Sequence, residues 1–213
     1  AKRITVRAFP LCVNEILWSF GMSTLVRSYS HRGLVVNTAY SMSATISDLF
    51  FVLFGGMATA STVLIGTPLG ANKLEEAKEN GYKLLGFSLI LAAVIVVLMF
   101  STSFIAPYFY NVSMEAKHLS ANFLRIMAMF FMLYMFNTSI YFVLRAGGDT
   151  KSTLFMDSGF MWTLNIPIVM FLSYCTSLPV LVVYAIGQST DLLKAVVSYY
   201  LLRKEKWVRN LTV

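Results

Sequence analysis

The run LLGFSLILAAVIVVLMFSTSF, Leu84 to Phe104, carries no charged side chain. It lies inside a longer charge-free gap that extends from Lys83 to Glu115. A helix needs about 20 mostly apolar residues to cross a bilayer, whereas a membrane strand needs about 10 residues that alternate strictly. Because the run is long and does not alternate, it predicts a transmembrane α-helix.

The rest of the chain repeats this pattern. Two further charge-free gaps separate Arg125 from Arg145 and Asp157 from Asp191, and Pro179 marks a turn within the second of them. Charged residues make up 13% of the chain, about half of the roughly 25% usual in soluble domains. The sequence therefore predicts an all-α integral membrane protein in which residues 1–213 form one six-helix lobe. The predicted spans are 7–27, 38–64, 83–106, 119–144, 153–174 and 178–202, with a cytoplasmic connector at 65–82.

Lysine and arginine are distributed unequally between the two sides of this predicted bundle. One side has only Arg27, Arg32 and Lys117, and the other has twelve basic residues. By the positive-inside rule, both termini should be cytoplasmic in a multi-pass inner or plasma membrane protein. A basic C-terminal stretch beside a span should touch lipid headgroups, so the net charge of +7 requires no nucleic acid partner. The twelve are Lys2, Arg3, Arg7, Lys73, Lys78, Lys83, Arg145, Lys151, Arg203, Lys204, Lys206 and Arg209.

Two connections on the basic side have recognisable local chemistry. In YFVLRAGGDTKST, residues 141–153, Arg145 ends the fourth span, and Gly147 and Gly148 allow the left-handed backbone that follows a helix. Asp149 precedes the next helix, and its negative charge interacts favourably with the positive end of that helix dipole. These residues predict a short inter-helix hinge. The connector segment 70–83 predicts a short amphipathic helix that lies along the membrane surface.

Four ionisable residues inside the spans stand out: Glu15, Asp48, Asp191 and Lys194. A charge at membrane depth costs about 3 kcal/mol on insertion scales, so each requires a reason. Glu15 lies beside Asn14 and has no basic neighbour at helical spacing. It is the first candidate for a carboxylate that binds a proton or sodium ion, and structural hydrogen bonding is the alternative. Asp191 and Lys194 are three residues apart and predict a structural ion pair within one helix.

Asp48 belongs to a stripe of small and hydroxyl-bearing residues on the second span. Such stripes face protein or water and not lipid. Two interpretations stay open: close helix packing with Asp48 hydrogen-bonded inside the protein, or the wall of a polar cavity. The stripe comprises Ser41, Thr45, Asp48, Val52, Gly55, Thr59 and Thr62.

Four segments together resemble the C-terminal lobe of multidrug and toxic compound extrusion (MATE) transporters. They occur in the order and at the spacing of that family and cover nearly the whole chain. The segments are FPLCVNEILWSFG at 9–21, ASTVLIGTPLGANKLEEAK at 60–78, LRAGGDTKSTLFMDSGFMWTLNIP at 144–167 and LLRKEKWVRNLT at 201–212.

The resemblance implies one lobe of a twelve-helix secondary exporter. Such a lobe works by alternating access with an N-terminal six-helix lobe, or here with a second copy, and exports organic, often cationic, compounds with proton or sodium coupling. Some branches of the family carry an aspartate eleven residues before the hinge arginine, and that position is Tyr134 here. Tyr134 and Asn137 are therefore expected to supply neutral oxygens. Ala1 in place of methionine is expected of a fragment or a processed product.

Other classes of function have less support in the sequence. A lipid-linked substrate flippase of the same superfamily should have more basic residues along its cavity than Arg125 and Lys194 provide. A non-transporting membrane scaffold would explain six helices without a second lobe. No enzyme, cofactor or metal is expected, because the sequence shows no nucleophile and base pair or phosphate loop, and Glu115 with His118 is a single ligand-like pair.

Overall fold

The computed structural model describes the backbone of residues 2–210 and the side chains of residues 9–210. Throughout this part of the chain the regular structure is helical. Six helical stretches are long and apolar enough to cross a membrane, in agreement with the six spans that the sequence predicts. They are Phe9–Ser30, Leu34–Gly70, Leu74–Thr102, Met114–Ala146, Thr150–Cys175 and Val180–Arg203.

Three of the spanning stretches are built from more than one helix. The uninterrupted ones are α1 (Lys2–Ser30), α4 (Leu74–Thr102) and α5 (Met114–Ala146). The second stretch joins α2 (Leu34–Ser61) to α3 (Thr67–Gly70) through a π-helical turn, Thr62–Gly66. The fifth comprises α6 (Thr150–Leu154), the π-helical turns Phe155–Gly159 and Met161–Asn165, and α7 (Ile166–Cys175), and the sixth comprises α8 (Val180–Ser189) and α9 (Asp191–Arg203). A short 3₁₀ helix, Ala106–Phe109, lies between α4 and α5.

The centre of the lobe is α5. In the most apolar 18-residue segment of α5, half of the residues are buried, against 17% in the corresponding segments of α1 and α2. Its Phe131 and Met135 lie in a core with residues of α2 and α4, and its Phe123 lies in a second core with residues of α1, α7 and α8. Between helices in lipid the driving force is close packing and hydrogen bonding, so a buried central helix holds the other helices in position.

A proline follows two of the π-helical turns at the same distance. Pro68 comes two residues after Thr62–Gly66, and Pro167 comes two residues after Met161–Asn165. Proline has no N–H and its ring crowds the carbonyl four residues earlier, so the wider turn accommodates it. Pro68 has no N–H to donate to the Leu64 carbonyl. This carbonyl instead accepts a hydrogen bond of 2.9 Å from Asn80 Nδ2.

The connector differs from the prediction. Residues 74–83 are not a separate helix on the membrane surface but the first turns of α4, which runs unbroken from Leu74. Ala77 and Gly81 are buried on the same face as Leu84, so the apolar face of this segment continues that of the span. The chain turns at Asn72, whose φ of 61° lies in the left-handed region.

The hinge follows its local chemistry. Gly148 adopts a φ of 73°, and Asp149 Oδ1 accepts a bond of 3.3 Å from Ser152 N at the start of α6. The Asp149 N–H bonds back to the Leu144 carbonyl at 3.0 Å and closes the end of α5. The hinge, residues 145–149, is therefore a capped turn, with the left-handed residue at Gly148 and ordinary backbone at Gly147.

The C-terminal segment gathers one end of the bundle. Lys78 pairs with Glu205 at 2.6 Å, and Arg209 donates to the Gly148 carbonyl at 2.6 Å. Asn210 bonds to Asn72 at 3.2 Å. This end, named the basic end here, comprises residues 70–83, 145–151 and 203–210 and holds nine of the twelve basic residues counted on one side. The side chains of Lys2, Arg3 and Arg7 lie outside the described residues.

Candidate functional site

A cavity of about 580 Å³ lies between the helices and is lined by residues of α1, α2, α5 and the fifth and sixth stretches. Among the described residues that line it are four carboxylates, two basic side chains and many aromatic rings. The charged residues are Glu15, Asp48, Asp157, Asp191, Arg145 and Lys194. The aromatic residues include Trp18, Tyr29, Tyr40, Phe51, Phe54, Tyr134, Tyr141 and Tyr184.

Asn14 connects three spanning stretches through residues that line this cavity, Tyr141 and Asp157. It is almost fully buried, and its amide nitrogen donates to Asp157 Oδ2 at 3.1 Å and to Tyr141 Oη at 3.4 Å. Its side-chain oxygen accepts from the Ser158 hydroxyl at 2.6 Å and from the Ser158 N–H at 3.3 Å. The π-helical turn that contains Asp157 and Ser158 is thereby held against α1. Because buried amides are costly when unpaired, these bonds fix the turn.

Asp157 is a site residue that sequence reasoning missed. Its Oδ1 accepts from Lys194 Nζ at 3.2 Å, and the two side chains are only 20% and 15% exposed. The predicted ion pair between Asp191 and Lys194 is therefore wrong, because the lysine reaches across to the fifth stretch instead of along its own helix. The signal was present in the sequence, since Asp157 is an acid four residues inside the predicted span 153–174.

Glu15 has a basic partner in the fold, although the sequence places none at helical spacing from it. Its Oε1 lies 3.3 Å from Arg145 Nη1, and its side chain is 58% exposed. Arg145 also donates to Tyr141 Oη at 3.2 Å, so the hinge arginine turns toward the cavity instead of capping the carbonyls of its own helix. The separation of 130 residues between the partners explains why helical spacing could not reveal the pair.

The structure places Asp48 on the cavity wall. Asp48 is exposed, together with the other residues of its stripe on α2 and the following turn. Within this lobe Asp48 is therefore not packed inside the protein, and of the seven stripe residues Asp48 alone lines the cavity. The stripe hydroxyls of Thr45, Thr59 and Thr62 bond to carbonyls of their own helix.

The two neutral candidates also face the cavity. Tyr134 stacks on Phe51 and lies against Phe54, with ring centroids 5.5 Å apart in both pairs. Asn137 is buried, and its Nδ2 donates to the Asp191 carbonyl at 3.1 Å while its Oδ1 has no hydrogen-bond partner within the described part of the chain. A buried amide oxygen without a partner is uncommon in folded proteins.

The cavity lining also contains an aromatic cluster, which lies far along α1 and α5 from Glu15 and Arg145. Tyr29, Tyr40 and Tyr184 lie within 5.3–6.1 Å of one another by ring centroids, and Phe123 packs on the last two. Gly187 permits this approach, because a Cβ there would lie 2.7 Å from Tyr29 Oη. The cavity therefore combines a charged region near the hinge with an aromatic region at the other end.

The sequence is similar to those of known membrane proteins. The MatE family model matches residues 10–171. Multidrug resistance protein MdtK of Yersinia pseudotuberculosis is 25% identical over 142 residues, which is 65% of this chain and 30% of that protein. MdtK of Yersinia enterocolitica has the same identity and coverage. The aligned part therefore spans less than a third of the length of these relatives.

Solved structures share the fold. An outward-facing multidrug resistance MATE family transporter of the MOP superfamily has a TM-score of 0.86 at 18% identity and covers 98% of this chain but 46% of that chain. A MOP superfamily transporter from Pyrococcus furiosus has a TM-score of 0.85 at the same identity and coverage. The six-helix lobe thus corresponds in fold to about half of each of those chains. With a family model that matches most of the sequence and this fold, the chain belongs to the MATE family.

Proposed function

We propose that this lobe is the C-terminal half of a cation-coupled secondary exporter of organic, often cationic, compounds that works by alternating access. The observation that carries the proposal is the cavity itself, which joins carboxylates and aromatic rings at membrane depth. Family membership supports transport as the general activity. The relatives are transporters, and the proposal includes no chemical reaction.

The charge balance of the cavity favours cations. Its described lining has four carboxylates against the two basic side chains Arg145 and Lys194. Aromatic faces attract cations by about 0.5–2 kcal/mol each and also pack against the apolar parts of an organic molecule. An amphipathic organic cation therefore suits both the charged region and the aromatic cluster.

Coupling to a proton or a sodium ion is proposed at the carboxylates beside Asn14. Glu15 follows Asn14 in the sequence, Asp157 accepts a hydrogen bond from the Asn14 amide, and both carboxylates line the cavity. A carboxylate in such a setting can bind a proton or a sodium ion, and each alternative changes the charge that the cavity offers to a substrate. Tyr134 and Asn137 supply neutral oxygens nearby.

A second six-helix unit is proposed to close the cavity. The polar stripe of α2 is exposed in the lobe, and a hydroxyl and carboxylate face is unsuited to lipid. An N-terminal lobe or a second copy of the chain would cover it. Both termini of the lobe are proposed to be cytoplasmic in the plasma or inner membrane, on the basis of the charge distribution.

The test is export from proteoliposomes that contain the intact transporter, with proton and sodium gradients imposed separately. We expect one gradient to drive export of an organic cation such as ethidium. The mass of the purified protein in mild detergent should correspond to two six-helix units. Absence of export under both gradients, or a stable single lobe without a partner, would contradict the proposal.

A further inference from the structure

The ammonium of Lys194 pairs with Asp157, a carboxylate of the cavity lining. Asp157 has both oxygens engaged, Oδ1 with Lys194 Nζ at 3.2 Å and Oδ2 with Asn14 Nδ2 at 3.1 Å. Both members of the ion pair line the cavity, and both are largely buried. Without Lys194, this carboxylate would be left at membrane depth with an amide as its only described hydrogen-bond donor, which is costly.

We propose that Lys194 is a tethered counter-cation for Asp157, and that an organic cation binds in the cavity by displacing it. This inference rests on the proposed export function and deepens it. Lysine suits the role because its ammonium is a point charge on a flexible stem of four methylenes, which can swing away without loss of a bidentate geometry. The carboxylate then has a positive partner in each state, which is the lysine, the substrate or the coupling cation.

The surroundings favour displacement of Lys194 from Asp157 over displacement of Arg145 from Glu15. Arg145, the other cation of the cavity, contacts both Glu15 and Tyr141 and stacks near the Tyr141 ring at 5.9 Å, so it is held by more groups. Lys194 has Asp157 as its described side-chain partner.

Other charges also act on the pair. Asp191 lies on the same helix as Lys194 and lines the same cavity, so the released ammonium has a second carboxylate nearby. Glu15, Asp48 and the Tyr134 and Tyr141 hydroxyls face the cavity from α1, α2 and α5. These groups are unchanged in the variants below, so their effect is common to every measurement.

The pair also joins two separate elements of the lobe. Asp157 lies in a π-helical turn of the fifth stretch, and Lys194 lies on α9 of the sixth. Turns of this kind are frequent at functional sites. Exchange of the lysine for a substrate cation would release α9 from this turn, which gives substrate binding a direct effect on helix contacts.

The experiment is binding of tetraphenylphosphonium to the purified intact transporter in detergent at fixed pH. In Lys194→Met the resident cation is absent, so the affinity should rise by roughly tenfold or more. Asp157→Asn should bind more weakly than the unmodified protein, and Lys194→Met should cause no gain when combined with Asp157→Asn. Lys194→Arg, which keeps a charge and adds donors, should not bind more tightly than the unmodified protein.

Lys83→Met is the matched control. Lys83 is in an exposed ion pair with Glu79 outside the cavity, so its removal should leave the affinity unchanged. Lys194→Gln repeats the test with a polar side chain if the methionine variant elutes as an aggregate. Unchanged or weaker binding by folded Lys194→Met or Lys194→Gln would overturn the inference, as would an equal gain in the Asp157→Asn background. Gradient-driven export by the unmodified protein is scored separately, so the proposed function can hold while this inference fails.

Discussion

The backbone of Trp207 lies directly against Gly147: a Cβ at position 147 would be 2.6 Å from the Cβ of Trp207 and 2.5 Å from its carbonyl oxygen. Trp207 is fully buried, and its ring packs over Gly81, where an added Cβ would meet the indole at 2.9 Å. Its Nε1 donates to the Leu202 carbonyl at 3.1 Å. The tryptophan thus joins the ends of α4, α5 and α9 at the basic end.

Gly147→Ala should destabilise the lobe. The φ of Gly147 is −76°, which alanine adopts freely, so the cost arises from the contact with Trp207 and not from the backbone conformation. Overpacking of this kind costs about 1–3 kcal/mol, and backbone atoms cannot rotate away as a flexible side chain would. Thermal unfolding in detergent, followed by tryptophan fluorescence, should show a lower midpoint.

Gly86→Ala on α4 is the matched control. No atom lies within 4 Å of a Cβ built at Gly86, and the residue is exposed within a helix. Alanine is favoured over glycine there by about 1 kcal/mol, so this variant should be neutral or more stable. Equal midpoints for the two variants would contradict the role given to the contact.

Asn14→Leu should also destabilise the lobe, through lost hydrogen bonds instead of a clash. The change removes the bonds from Asn14 to Asp157 and Ser158 and leaves these groups without an amide partner. A buried polar group that loses its partner costs about 1–3 kcal/mol. The unfolding midpoint should fall, and proteolysis should cut more rapidly near the turn at 155–159.

Cys12→Ala serves as the control for that variant, since Cys12 is exposed on the same helix. It should unfold at the same temperature as the unmodified protein. If Asn14→Leu were equally stable, the bonds between α1 and the fifth stretch would not determine the position of the turn.

Glu15→Gln should separate transport from stability. The ion pair with Arg145 is largely exposed, and pairs of this kind contribute about 1 kcal/mol or less, so the variant should fold normally. If Glu15 is a coupling carboxylate, gradient-driven export in proteoliposomes should fall at least roughly tenfold, because the amide cannot exchange a proton or hold sodium by charge.

Glu79→Gln provides the same chemical change in another exposed ion pair, at 2.7 Å from Lys83 and outside the cavity. Its export should equal that of the unmodified protein. Normal export by Glu15→Gln under either gradient would make Glu15 a structural residue, and Asp48 and Asp157 would become the next candidates.

The charge distribution predicts the sidedness of the lobe. A cysteine at Lys73 should react with an impermeant maleimide only after the cells are opened, whereas a cysteine at Glu115 should react from outside. Both positions are exposed. Cys12 and Cys175 are themselves exposed and should first be replaced by alanine. External labelling at position 73 would reverse the orientation.

Local features of the chain were predicted well because their causes are local. A charge-free run longer than a bilayer is wide must span it, whatever packs against it, so six spans follow from hydropathy alone. Asp149 caps α6 and Gly148 takes the left-handed turn for reasons contained within the hinge. The same local logic failed at residues 70–83, because an amphipathic pattern does not show whether a helix lies on the membrane or continues into it.

The partners of the charged residues were decided only by the tertiary structure. Lys194 has an acid three residues away, yet it bonds to Asp157, and Glu15 finds Arg145 at a distance of 130 residues in sequence. Spacing along one helix fixes which side chains share a face, but the rotation and tilt of neighbouring helices decide which faces meet. The sequence by itself therefore determined the spans and the hinge. The packing of α1, α5, α9 and the fifth stretch determined which acids pair with Arg145 and Lys194.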